Sequence, residues 1–229
     1  MKTSNKILLG VFLATLLLTT TINLIVYAKY KRGDYVPFER KEENLTSVNL
    51  PAAKYVSIIA LCRVELSNSA TPGFEVYKGK EKGITYRMAG DTLVITSLPN
   101  ELEQDGCNSQ LLKLHLPATT EVYAHSVGIR IIGKADSTQA PSFNIHLDKR
   151  SVLHTDYNDD DIRYINQLLL VGSETNFELD EHIIVSELSL KMVNNSRFDD
   201  KKGEIRKLTL DVDNNSTINL TGNSIKNIK

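Results

Sequence analysis

The chain has 229 residues, a formal net charge of −1, 41% hydrophobic residues, no Trp and two Cys. That length holds one moderate domain plus an appendage. The near-neutral balance, with no basic stripe anywhere, excludes a nucleic-acid binder that works by electrostatic attraction to phosphates.

The appendage is N-terminal. Residues 1–6 form a short tail carrying Lys2 and Lys6, and in residues 7–28 the only strongly polar side chain is Asn23, apart from the run of threonines at 19 to 21. As a helix this stretch spans about 33 Å, against a hydrocarbon core of about 30 Å, so it reads as a transmembrane anchor. Val26-Tyr27-Ala28 also suits cleavage of a secretory signal after Ala28, but the apolar region of a signal runs to only about 7 to 15 residues, which favours an uncleaved anchor. No Cys stands shortly after it, so a lipoprotein cleavage site is absent. Lys29, Lys31 and Arg32 after the span oppose export by charge alone. Signal-type segments at the extreme N-terminus nevertheless deliver the chain downstream of them, and large domains translocate largely regardless of charge. The expectation is a single-pass membrane protein with its main domain outside the cytoplasm, periplasmic or at the cell surface.

Residues 29–44, with Pro37 and the charged run from Glu39 to Glu43, read as a linker. Residues 45–229 read as an all-β domain: Tyr55 to Leu66 is rich in β-branched and aliphatic residues, Phe74 to Tyr77 and Ile84 to Met88 are shorter, and Thr92 to Leu98 alternates apolar with polar. Leu112, Leu114 and Leu116 alternate before Pro117, and Val127, Ile129 and Ile131 alternate before Gly133. No long amphipathic helix pattern occurs after residue 30.

Beyond residue 142 a frame recurs. Ser151, Thr175, Ser196 and Ser216 are spaced by 24, 21 and 20 residues, and each is flanked by alternating apolar positions. Counting from the hydroxyl residue, positions −8, −6, −4, +2 and +4 are Phe143, Ile145, Leu147, Leu153 and Thr155, then Gln167, Leu169, Val171, Phe177 and Leu179. The third set is Leu188, Leu190, Met192, Phe198 and Asp200, and the fourth is Leu208, Leu210, Val212, Ile218 and Leu220. Only Gln167, Thr155 and Asp200 are not apolar, so 17 of 20 places fit. A stacked frame of 20 to 24 residues predicts a parallel β-helix, a β-solenoid, with one such segment per coil. At roughly 3.3 Å per residue, 20 residues trace about 66 Å, enough for one circuit of short strands and tight turns. Asn194-Asn195 and Asn214-Asn215 before the hydroxyl, and Lys202-Gly203 and Gly222-Asn223 after it, supply corner chemistry, with the asparagines expected to form a ladder. The hydroxyls themselves read as a structural ladder of corner residues satisfying backbone groups, not as nucleophiles.

The strand pair near Val56 to Glu65, the stretch ending Asp91-Thr92-Leu93-Val94-Ile95, the Leu-Lys-Leu-His-Leu-Pro step at 112 to 117 and the Leu-x-Leu-x-Val-x-x-x-Ser segments together resemble the head GIN domain family over roughly Leu45 to Ile228. Asn-Asn-Ser stands where that family usually has Ser-Gly-Ala-Ser. The resemblance implies a parallel β-helix exported to the cell envelope, among candidate auto-transporter adhesins of Bacteroidetes-type bacteria.

Catalytic chemistry has one place to sit. Three residues beyond each hydroxyl lie His154, Glu178, Asp199 and Asn219, and neighbouring strands about 4.8 Å apart would bring Glu178 and Asp199 towards the roughly 5 Å separation of a retaining glycosidase. The run Asp156-Tyr157-Asn158-Asp159-Asp160-Asp161 starts like a calcium loop but lacks its turn Gly and bidentate Glu, and the five His residues show no close ligand pair, so no metal site and no cofactor are expected. Cys62 and Cys107 are a possible disulfide only, 45 residues apart and with no metal spacing. The function expected is a membrane-anchored, non-enzymatic envelope β-solenoid that adheres to an envelope protein or polysaccharide. The alternative is a carbohydrate-active β-helix enzyme using Glu178 and Asp199.

Overall fold

The computed structural model describes residues 3–32, 45–59, 61, 63–97, 111–155 and 161–225. The chain divides into two units, Met1–Glu43 and Asn44–Lys229. In the first, helix α1 (Thr3–Arg32) contains the expected span and also takes in residues 3–6 and 29–32. Its stretch Gly10–Lys29 is long and apolar enough to cross a membrane. Val11, Phe12, Leu17, Leu24 and Ile25 are all exposed on it, a pattern that membrane spans and signal segments share. The threonines fit because each hydroxyl donates back into the helix: Thr15 to Val11 O at 2.7 Å, Thr20 to Leu16 O at 2.8 Å and Thr21 to Leu17 O at 2.7 Å. These hydroxyl protons are satisfied within the helix, so the run remains compatible with an apolar environment.

The second unit is almost entirely β, with its strands in two mixed sheets of nine. Sheet A runs β1 (Leu45–Asn49), β4 (Gly73–Tyr77), β7 (Leu111–Leu116), β3 (Arg63–Asn68), β9 (Gly128–Ile131), β11 (Val152–His154), β13 (Asn176–Glu178), β15 (Arg197–Asp199) and β18 (Thr217–Asn219). Sheet B runs β16 (Glu204–Ile205), β14 (Ile183–Val193), β12 (Arg163–Ser173), β10 (Ser142–Asp148), β8 (Glu121–His125), β2 (Tyr55–Ile59), β6 (Thr92–Ser97) and β5 (Ile84–Ala89), with β17 (Leu208–Val212) pairing β14 beside β16. A final short helix, α2 (Gly222–Ile225), comes after β18. The pairs β1–β4, β4–β7 and β5–β6 are antiparallel.

The expected parallel β-helix of 20 to 24 residues per coil is therefore corrected. The described strands make two mixed sheets around one core, a sandwich-like β fold with no closed solenoid among the described residues. Period-two alternation and a recurrent spacing report which residues face inward and how far apart paired strands lie in sequence. Neither quantity distinguishes a chain that closes on itself from one that moves between two facing sheets.

Face assignment is also corrected in one segment. Phe143, Leu168, Leu188 and Leu208 lie in register across β10, β12, β14 and β17, so in the second half of β12 the inward residues are Leu168, Leu170 and Gly172, while Gln167 and Leu169 face out. The corner after β12 is one residue short. Lys149-Arg150 and Asn194-Asn195 each put two residues at positive φ before the hydroxyl, whereas before Thr175 only Glu174 does so. A one-residue change in a corner inverts the faces of the strand that precedes it.

Two of the polar residues in the frame are buried fastenings. Thr155 Oγ1 accepts the Asp180 N–H at 2.7 Å, and the Asp200 carboxylate accepts the Thr221 N–H at 2.8 Å and the Thr221 hydroxyl at 3.1 Å. Both sit at 0% exposure. A buried polar group persists when it closes hydrogen bonds that a turn cannot close by itself.

Candidate functional site

Of the hydroxyl residues in the recurrent frame, Ser151, Thr175 and Ser196 are buried. Ser151 Oγ accepts the Val127 N–H at 3.2 Å, Ser196 Oγ accepts the Thr175 N–H at 3.4 Å, and Ser216 Oγ accepts the Ser196 N–H at 3.2 Å. Ser151 and Ser196 also donate to the carbonyls of Asp148 and Val193, each at 2.7 Å. Thr175 Oγ1 is the exception, with no hydrogen-bond partner, and the Ser151 N–H turns to Asp148 O instead. The short corner before Thr175 puts its hydroxyl out of step. The asparagines make no ladder of like with like: Asn194 Nδ2 donates to Ser173 Oγ at 3.0 Å and its N–H to Asp213 Oδ2 at 2.8 Å.

His154, Glu178, Asp199 and Asn219 lie in one register row on the outer side of sheet A. The row continues through Arg130, Glu65, Lys113 and Glu75, whose charges alternate in sign from strand to strand, whereas Glu178 and Asp199 set two carboxylates side by side. Glu178 lies 3.2 Å from His154 Nδ1 and accepts from the Lys201 ammonium, whose pKa that bond raises. Asp199 accepts the Lys201 N–H at 3.1 Å and faces Arg197 at 3.5 Å. An acid–base pair for glycoside cleavage needs one protonated carboxyl and one free carboxylate facing the substrate. Here each carboxylate is held by neighbouring positive charge and hydrogen-bond donors. Nearby, Ser67 Oγ lies 2.6 Å from His115 Nδ1 and Glu75 lies 3.7 Å from His115 Nε2. Cys62, Cys107 and the acidic run 156–160 lie outside the described residues.

The outer side of sheet B carries a different surface. The parallel registers bring Ser57, Tyr123, His146 and Val171 into one row and Ile59, His125, Asp148 and Ser173 into the next. Tyr123 and His146 stack with centroids 4.4 Å apart and planes 14° from parallel, and Tyr55 meets Tyr123 edge-on at 6.2 Å. The Tyr123 hydroxyl donates to Glu121 Oε2 at 3.0 Å, and the same carboxylate lies 3.9 Å from His146 Nε2. His125 Nδ1 meets Asp148 at 2.9 Å. Beside these rows lies a groove of about 420 Å³, with Ile59, Val171 and Val193 among its apolar lining and Tyr123, His125, His146 and Asp148 among its polar edges.

The electrostatics are set by packing. Burial against its neighbours holds His146 below the ordinary histidine value, with Glu121 pulling the other way. Burial and the bond to Glu121 push the Tyr123 phenol up. Both rings are therefore uncharged near neutral pH, and the face combines ring edges with hydroxyl donors, carboxylate acceptors and an apolar floor. Such a mixture binds and orients amphipathic ligands. Among the described residues, no group of three or more His, Cys, Asp or Glu is placed to hold a metal ion. Sequence reasoning misses β8 and treats the histidines singly. The signal present in the chain is the match of Glu-Val-Tyr-Ala-His at 121 to 125 with Asn-Ile-His-Leu-Asp at 144 to 148, which are the two segments that pair.

No family model matches the sequence, and no curated protein matches it. Its fold is shared with a solved structure of a candidate adhesin from Parabacteroides merdae, at a TM-score of 0.50 and 12% identity, over 79% of this chain and 74% of that one. A candidate adhesin from Parabacteroides distasonis is similar at a TM-score of 0.49 and 10% identity, over 78% of this chain and 73% of that one. A candidate lipid-binding protein from the same species is similar at a TM-score of 0.45 and 12% identity, over 78% of this chain and 74% of that one.

Proposed function

We propose that this chain is a non-enzymatic adhesive protein of the cell envelope, anchored in the membrane by α1 and presenting its β unit outside the cytoplasm. Its contact surface is the outer face of β2, β8, β10 and β12, and its ligand is a saccharide of the envelope or of a neighbouring cell. The observation that carries this reading is the groove lined by the stacked Tyr123–His146 pair and by the His125–Asp148 pair, with Glu121 accepting from the Tyr123 hydroxyl behind it. A sugar ring offers hydroxyls to carboxylates and histidines and an apolar face to Val171 and Val193, which matches the composition of that surface. The adhesin description of the Parabacteroides merdae protein, extended here to this chain, is in keeping with binding without turnover. The engaged state of Glu178 and Asp199 argues in the same direction.

The test is binding of the full chain, held in detergent micelles, to immobilised envelope polysaccharides, with product analysis of the same polysaccharides in parallel. Tyr123→Ala and His146→Ala are expected to lower affinity at least tenfold, while Glu178→Ala and Asp199→Ala bind as the parent does. Polysaccharide turnover that disappears in the Glu178 and Asp199 variants would overturn the non-enzymatic reading. Binding untouched by the Tyr123 and His146 changes would move the contact surface elsewhere.

A further inference from the structure

Strand β17 forms one margin of sheet B, and its inward side is open. Ile145, Leu170, Leu190 and Leu210 share one register row across β10, β12, β14 and β17. The first three are at most 2% exposed, whereas Leu210 is 43% exposed. Leu208 and Val212 are only half-buried. This is core-facing leucine and valine at a strand that, among the described residues, has a neighbour on one side only.

The hydrogen bonds of β17 show which backbone groups remain. Lys207 O accepts the Leu188 N–H at 2.8 Å, and the Asp213 N–H reaches Met192 O at 3.0 Å. In a parallel ladder, alternate residues of a strand turn both their groups to one neighbour. The odd-numbered residues of β17 therefore serve β14, and the N–H and C=O groups of Leu208, Leu210 and Val212 face a margin that no described strand covers. An unpaired row of this kind is a template for another strand.

We infer that the occupant is β17 of a second copy of this chain, paired antiparallel across a two-fold axis at Leu210. Antiparallel pairing about that residue sets Leu208 against the other copy's Val212, Leu210 against itself and Thr209 against Asp211. The residues that meet as hydrogen-bonded pairs are the even-numbered ones whose groups are open, so the parity of the free edge and the parity of the two-fold register agree. Next along the register, Lys207 stands opposite Asp213, and no two like charges are set against each other between residues 207 and 213. The strand is thus self-complementary in hydrogen bonds, in apolar side chains and in charge, which is the condition for a closed isologous dimer instead of an open array. The three half-exposed apolar side chains of each copy join a continuous inner layer.

The experiment is the mass of the full chain in detergent micelles, by light scattering after size exclusion, for the parent and for Leu210→Pro. Proline removes one N–H that faces the open edge and none that β14 uses. The parent is expected to be a dimer and Leu210→Pro a monomer with at least tenfold weaker association. A monomeric parent, a larger open oligomer, or a proline variant that stays dimeric would overturn the inference. Leu210→Cys in a Cys62→Ser, Cys107→Ser background keeps the test decisive where proline disturbs folding. Cα atoms of an antiparallel hydrogen-bonded pair lie about 5.5 Å apart, within disulfide reach, so the thiol introduced by Leu210→Cys is expected to cross-link to its copy on mild oxidation. Absence of that cross-link in a folded sample would also overturn it.

Discussion

The ring of Phe177 occupies the space that a side chain at position 172 would need. A Cβ added at Gly172 would meet Phe177 Cε2 at 2.5 Å and Thr175 Oγ1 at 2.6 Å, and Phe177 is fully buried. The one-residue-short corner between them brings the ring back over the strand that leads into it. A glycine is the residue that permits so close a return.

Gly172→Ala therefore forces a buried aromatic ring to move in a packed interior. Overpacking of this type costs about 1 to 3 kcal/mol, and in a domain of this size each kcal/mol lowers the melting temperature by roughly 2 to 4 °C. Thermal denaturation of the parent and the variant checks it. An unchanged midpoint would show that the corner has slack.

The hydroxyl residues separate into two kinds with opposite expected effects. Ser196→Ala removes the acceptor of the Thr175 N–H and leaves a buried donor unpaired, at a cost of about 1 to 3 kcal/mol. Thr175→Val removes a buried hydroxyl that has no partner and is expected to be neutral or stabilising, because no hydrogen bond is lost and a polar atom leaves the core. Urea unfolding midpoints of the two variants should move in different directions or by clearly different amounts. Equal losses would mean that Thr175 carries a bond after all.

His146 makes the β unit sensitive to acid. Burial lowers its pKa in the fold, with Glu121 opposing the shift, so between the folded value and the ordinary value near 6.5 the unfolded chain binds more protons than the folded one. Stability from this group is complete above the unfolded value and declines as pH falls through the folded value. Melting temperature measured from pH 7.5 down to 5 should fall more steeply for the parent than for His146→Gln. A steeper fall in the variant would reverse the sign and contradict the assignment.

How much of the fold and of the groove is legible in the sequence depends on the quantity that each signal encodes. Alternation at Phe143-Ile145-Leu147 and Leu188-Leu190-Met192 marks inward faces directly, since both strands are in register with their neighbours. In Gln167-Leu168-Leu169-Leu170-Val171 nearly every residue is apolar, so alternation is silent there, and the frame rests on Thr175 alone. Only the backbone count in the corner, one positive-φ residue instead of two, decides the face. Nothing local to β1, β4 and β5 marks them as antiparallel, because strand direction is set by the connections between strands. The groove on sheet B depends on residues 23 apart, such as Tyr123 and His146, meeting side by side. The pairing that unites them shows in the sequence only as a likeness between two five-residue segments.

Asp200 is the polar residue that the apolar frame least accommodates, and its removal has a localised expected effect. Its carboxylate, fully buried, accepts from the Thr221 N–H, the Thr221 hydroxyl and the Lys202 N–H. It thus fastens the segment after β18 to the turn after β15, while α2 is held separately by the Ser224 hydroxyl donating to Gly203 O at 3.2 Å. Asp200→Ala removes a charged acceptor from three donors and is expected to cost about 1.5 to 3 kcal/mol. The loss should be local first, since segments at a sheet margin open with less free energy than the whole fold. Hydrogen exchange is therefore expected to quicken at residues 217–225 well before it quickens in β10 and β12. Asp200→Asn retains one acceptor oxygen and should lose less. Uniform acceleration across both sheets would show instead that Asp200 supports the whole core.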